Sequence, residues 1–353
     1  MQLGFYTFGD IDLRPGRERV SPGQRLREIL ERVRLAEEVG LDYAGIGEHH
    51  RPDYSISAPA TVISAALAQT ERIHVGSAVT VLSTEDPVRV FQQFATMDQF
   101  SGGRVELSAG RGSFIESFPL FGARLEDYDE LYEEKLDLLL RLNTEHPITW
   151  SGRFRPALRE AVVLPRPVDK PGLGEQLRIE LATGGSPASA ARAGRLGLPV
   201  NFAIIGGEGR RFADLVGYYR QARQQAGHEG PGRVTVSGPG FLADEDGAAR
   251  DFLYPYFAAN MAQIAAERGF APPSRISYES QSAKHGAFFI GDPEYVAEKI
   301  VTLHGYLGHD RHILQMDYSG VPQRESLRAI ELLGTRVKPL VEAELGVSSG
   351  SAE

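Results

Sequence analysis

Short apolar runs alternate with longer amphipathic ones along most of the chain. Leu3–Phe8 reads as an apolar strand, and between Ser21 and Val39 the residues Leu26, Ile29, Leu30, Val33 and Ala36 recur at helical spacing. Ser21-Pro22 gives that helix a cap and a first turn, and Gly40 gives it a stop. The same rhythm predicts strands over Tyr43–Gly47, Ile73–Leu82, Arg104–Ala109, Arg178–Ala182, Val200–Ile205, Arg233–Leu242 and His312–Met316. Helical patterns follow them, including Ala58–Gln69, Pro87–Phe100, Leu125–Asn143, Ser186–Leu196, Ala248–Arg268 and a final Arg324–Leu345.

Two stretches break the rhythm. His146–Leu177 carries Pro147, Pro156, Pro165, Pro167 and Pro171, and reads as an insertion with a small hairpin. Gly269–Gly291, with Pro272-Pro273, reads as a second irregular stretch. Repeated strand–helix units of this number and length predict an α/β fold, a (β/α)8 TIM barrel. It is expected as a single domain over residues 1–347, with insertions after strand 4 and after strand 7 and a frayed tail over 348–353.

Composition narrows the function. No apolar run reaches membrane-spanning length, and the N-terminus enters a strand pattern with no signal-peptide core, so the expected location is cytoplasmic, with no membrane partner. The absence of cysteine excludes disulfides, cysteine-ligated metals and thiol nucleophiles. A net charge of −9 argues against a nucleic-acid partner, so an anionic ligand must be held by a local arrangement.

A barrel places its chemistry at the C-terminal ends of its strands. The fourth strand ends in Gly110-Arg111-Gly112, where the glycines permit close approach and the arginine offers a planar fork of donors suited to phosphate. Alone, this could equally be a surface arginine in a turn. The fifth strand ends in Gly184-Gly185-Ser186-Pro187-Ala188-Ser189 at a helix start. That is either a plain serine cap or an anion site built from first-turn N–H groups and two hydroxyls. On neighbouring strand ends, Arg111 and these serines together favour a phosphate cradle.

The second strand ends in Glu48-His49-His50. Adjacent strand residues point to opposite faces, so one histidine is expected at the barrel mouth as a proton-transfer group and the other packed away. No HExxH spacing occurs, and no metal site is expected. There is also no GxGxxG after a strand, no GxxxxGK[ST] and no GxSxG, which leaves a mononucleotide-like or sugar-phosphate ligand.

The runs Glu48-His49-His50, Val75-Gly76-Ser77-Ala78-Val79, Pro87-Val88-Arg89 and Asp98–Arg104 resemble those of the bacterial luciferase-like flavin monooxygenases. Arg111-Gly112 through Phe121-Gly122, Gly185–Ser189, Gly197-Leu198-Pro199 and Gly291–Val296 follow in that family's order. The resemblance implies that Arg111, Ser186 and Ser189, with Gly185, bind the 5′-phosphate of FMN. It implies a non-prolyl cis peptide at Ala78-Val79 beneath the flavin ring, and acid–base work for His49. Where the luciferases carry a cysteine, this chain has Gly110, which points away from light emission. Gly269–Gly291 matches a mobile lid, which nominates Lys284 and His285, with Glu48, as residues facing substrate.

The implied activity is a monooxygenase using reduced FMN and O2 on a small organic substrate. The reduced flavin would come from a separate NAD(P)H:flavin reductase, and the resemblance implies a homodimer. Two alternatives stay open: hydride transfer with the deazaflavin F420 on the same fold, and a flavin-binding protein without turnover.

Overall fold

The computed structural model describes residues 1–14, 19–112 and 114–346; the tail expected over 348–353 lies outside them. Eight parallel strands close into a barrel: β1 (Gln2–Thr7), β2 (Tyr43–Ile46), β3 (His74–Ser77), β4 (Val105–Gly110), β5 (Arg178–Thr183), β6 (Val200–Ala203), β7 (Val234–Leu242) and β8 (Arg311–Gln315). β1 pairs with both β2 and β8, and β7 pairs with β6 and β8, so no edge is left open. Helices between successive strands pack around the outside, as the alternating pattern requires. None of the described helices is long and apolar enough to cross a membrane.

Strand alternation separates two apolar clusters. Leu3 and Phe5 of β1 join the large cluster formed with the surrounding helices through residues such as Ile29, Val33 and Val341. Tyr6 of the same strand joins a small one with Tyr43, Ala78 and Ile313, against which Phe8 packs.

The N-terminal ends of the strands are tied by buried charge. Arg311, at the start of β8, donates to both oxygens of Glu106 at 2.6 and 2.7 Å, and stacks 4.2 Å above the Tyr43 ring. His74 lies 2.8 Å from the same carboxylate. Burial alone would raise the Glu106 carboxyl, but Arg311 and His74 outweigh it and hold the group well below the usual carboxylate range. Glu180 accepts from Thr235 at 3.1 Å and from Asn201 at 3.3 Å.

Three elements differ from the sequence reading. The expected long strand Ile73–Leu82 is broken: β3 stops at Ser77, the Ala78-Val79 peptide is cis, and Thr80–Val81 then pairs separately with β4. Gly269–Gly291 is more regular than its prolines suggest. It holds a helix, Arg275–Ser282, capped by Ser274, and a short strand, Phe289–Gly291, in register with β7. The last helix is interrupted by a π turn over Leu333–Val337, between Gln323–Leu332 and Lys338–Glu344. The insertion after strand 4 contains the antiparallel hairpin Ile148–Trp150 with Leu158–Ala161.

Candidate active site

The C-terminal ends of the strands open into a cleft of about 2180 Å³ of atom-free space, counted to its mouth. Its floor is made of small residues. Ala78 and Val79, Gly110, Ala182 and Ala203 all line it, with Gly184 and Gly206 beyond the ends of β5 and β6. The missing side chain at Gly110 matters here, because a Cβ there would meet Val79 Cγ2 at 2.6 Å. Val79 occupies the space that a side chain at 110 would need.

On one wall stand the groups that can move protons. β2 ends at Ile46, so strand alternation no longer applies at His49 and His50, and both line the cleft. This corrects the expectation that one would be packed away. Each has its own carboxylate: His49 Nδ1 is 3.1 Å from Glu116, and His50 Nε2 is 2.9 Å from Glu48. Glu48 also accepts from the Val81 N–H at 3.0 Å, which ties it to the chain just after the cis peptide. The hydrogen bond to Glu48 pushes the His50 imidazole above its ordinary value against the effect of burial. Tyr54, Phe8 and Phe114 surround the His49 ring at centroid distances of 4.4, 4.7 and 4.9 Å, fixing its plane.

Arg111 also lines the cleft, just past the end of β4. It donates to Asp129 at 2.7 Å and lies over the Tyr128 ring, whose hydroxyl donates to Gly112 O at 2.8 Å. β4 pairs in register with β5, so the neighbouring strand end carries Thr183 and Gly184 to the cleft wall beside it. Gly185 follows in a left-handed conformation (φ 110°) that suits glycine, and turns the chain into the helix Pro187–Arg195. Ser186 caps that helix, accepting from Ser189 N at 3.4 Å. Gly185, Ser186 and Ser189 therefore sit at a helix start next to the cleft's edge and do not line it directly.

Lys284 and His285 are not at this cleft. Both are exposed and border outer hollows beside Arg210, and Lys284 is paired with Glu298 at 2.5 Å. The turn Ala283–Gly286, closed by Gly286 N donating to Ala283 O, carries them outward after the helix Arg275–Ser282. It is that helix which reaches the cleft, through Ser277, Tyr278 and Gln281. Lys299 anchors its foot by donating to the carbonyls of Ser282, Ala283 and Phe288 at 3.2, 2.7 and 2.6 Å.

The sequence reading missed the opposite wall. Phe257, Asn260, Met261 and Ile264 project into the cleft from the helix Asp246–Arg268. Their spacing is that of a single helix face, and an asparagine inside an otherwise apolar stripe was the available signal. Asn260 Nδ2 donates toward Asp10 and Tyr54 at 3.4 and 3.5 Å. Asp10 is buried, and burial together with the nearby Asp317 pushes its carboxyl well above the usual range.

With this geometry in view, comparison with known proteins gives consistent results. The sequence model of the family described as luciferase-like monooxygenase matches residues 1–310. A luciferase-like monooxygenase of Escherichia coli K12 is 26% identical over 85% of this chain and 86% of its own. The fold is shared with monooxygenase RslO1 of Streptomyces bottropensis, at 24% identity and a TM-score of 0.82 over 96% of this chain and 99% of that one. It is also shared with the oxygenating constituent of 3,6-diketocamphane monooxygenase from the CAM plasmid of Pseudomonas putida, solved with FMN (21%, TM-score 0.75, 97% and 98% covered). An F420-dependent secondary alcohol dehydrogenase has the same fold at 17% identity (TM-score 0.72, 96% and 98% covered).

Proposed function

Because this chain belongs to the luciferase-like monooxygenase family, we propose that its cleft takes up reduced FMN from a separate NAD(P)H:flavin reductase and oxygenates a small organic substrate with O2. The balance is one substrate, one O2 and one reduced flavin in, and one oxygenated product, one water and one oxidised flavin out. The observation that carries the reading is that Arg111 and the Gly184–Ser186 helix start follow neighbouring strand ends, at the edge of a cleft floored by small residues.

In this reading Arg111 and the first turn around Gly185, Ser186 and Ser189 hold the 5′-phosphate. The guanidinium supplies charge, and the helix start supplies N–H donors and a favourable dipole. Ala78, Val79 and Gly110, which line the cleft, would provide the surface against which the flavin is held. Bound reduced flavin would supply the two electrons that O2 activation needs. His49, held through Nδ1 by Glu116, would have Nε2 available for proton exchange in the cleft. Glu48 and His50 form a second proton-holding pair on the same wall. Phe114, Phe257 and Tyr278 present apolar ring surface to the cleft, which would help to exclude water from the site. The F420 reading has support only at the level of the shared fold.

Anaerobic protein saturated with reduced FMN is mixed with air, and the return of oxidised-flavin absorbance is followed. The proposal expects a return clearly slower than that of free reduced FMN, and faster again in His49→Gln. Re-oxidation at the free-flavin rate in the wild-type protein would refute it in favour of a passive binder.

A further inference from the structure

The cleft is sharply divided in charge. Its charged lining residues, Glu48, His49, His50, Arg111 and Glu116, all come from the β2 and β4 sides, and each is paired. From Ala182 through Tyr318, by contrast, not one described lining residue is charged. That half consists of aromatic and aliphatic side chains with a few amides and hydroxyls. Phe257, Met261 and Ile264 form an apolar face, and Phe288, Tyr278 and Tyr318 extend it. Ring contacts of 5.1 to 5.7 Å join Phe257 to those three residues and hold the wall rigid.

Such a wall has a defined preference. A carboxylate or phosphate on the substrate would lose its hydration there, and no described lining residue of that half offers it a cation. A flat hydrocarbon ring would lose only unfavourable contact with water and gain stacking partners.

One polar group interrupts the apolar face. Asn260, 8% exposed, directs its amide N–H2 toward Asp10 and Tyr54. Its carboxamide oxygen, with no hydrogen bond among the described residues, is left to accept one.

Resting on the monooxygenase reading above, we infer that the substrate is an uncharged, ring-containing compound bearing a hydroxyl, bound against the Phe257–Ile264 face with that hydroxyl donating to Asn260. Asn260 is thus the specificity-determining residue of the site. A buried acceptor discriminates strongly against an analogue without the matching donor, since it is then left unpaired.

Three naphthalenes of similar size test this by equilibrium dialysis against the full-length protein, with and without FMN. 2-Naphthol carries a neutral donor, 2-methylnaphthalene carries none, and 2-naphthoate is an anion. The expected order is 2-naphthol tightest, 2-methylnaphthalene weaker by about ten-fold, and 2-naphthoate weakest. Asn260→Leu should close the gap between the first two, and Ile264→Lys should move 2-naphthoate up the order. Naphthoate binding as tightly as naphthol in the wild-type protein, no binding of either neutral probe, or an undiminished gap in folded Asn260→Leu would each overturn the inference. The wild-type order decides even where a variant does not fold. FMN affinity is read separately on the same protein, so failure of the cofactor reading and failure of the substrate reading are told apart.

Discussion

The two ends of the barrel use polar residues in opposite ways. At the N-terminal end, Glu106 meets Arg311 through two hydrogen bonds with His74 alongside, and Glu180 is met by Thr235 and Asn201. These groups are satisfied by one another, and of them Asn201 alone also borders the cleft. At the C-terminal end, polar residues are held from one side and keep another atom for something else: His49 by Glu116, Asn260 through its N–H2 by Asp10 and Tyr54, Arg111 by Asp129. The difference assigns stability to one end and chemistry to the other.

The largest expected effect comes from breaking the closed end. Glu106→Gln leaves Arg311, 1% exposed, without its charge partner. It should cost about 3–5 kcal/mol in urea unfolding, with no change in flavin affinity of the folded fraction. The same pair fixes the acid limb. Because the folded-state carboxyl of Glu106 lies below its unfolded value of 4.5, its contribution is present above that pH and is lost as pH falls through the depressed value. Wild-type stability should therefore drop more steeply below pH 4.5 than that of Glu106→Gln; parallel acid limbs would count against the assignment.

At the open end the effects are smaller and of another kind. Gly110→Ala sets a Cβ against Val79 and should weaken flavin binding by about 1–3 kcal/mol, the range for overpacking. Gly110→Ala with Val79→Ala should recover most of that loss, and simple additivity would show that the two do not share the space. Arg111→Ala should reduce FMN affinity by more than about 1.5 kcal/mol, the scale of a charged hydrogen bond. Its thermal midpoint should move little, since its partner Asp129 is 78% exposed. An unchanged affinity would remove Arg111 from the phosphate site.

The sequence and the structure agree best where a residue type has a single strong local meaning. β-branched runs between glycines and prolines gave the barrel strands. Gly110-Arg111-Gly112 and Gly185-Ser186 stood out because glycine, arginine and a capping serine say something specific about backbone and charge. The Phe257–Ile264 face stayed hidden because a helix face toward a cleft has the same periodicity as one toward a core. Glu106 and Arg311 are 205 positions apart, and no local pattern pairs them. The lid-like stretch nominates Lys284 and His285 for the cleft, but one turn after Ser282 sends them to the outer surface. A neighbourhood in sequence locates an element far better than it aims a side chain.

The central claim is that the open end is a site for reduced FMN. Anaerobic titration of the protein with reduced FMN and, separately, with reduced F420 tests it most directly. The account predicts saturable binding of reduced FMN that Arg111→Ala weakens, and markedly weaker binding of F420. Tight binding of F420 with no binding of FMN would contradict it.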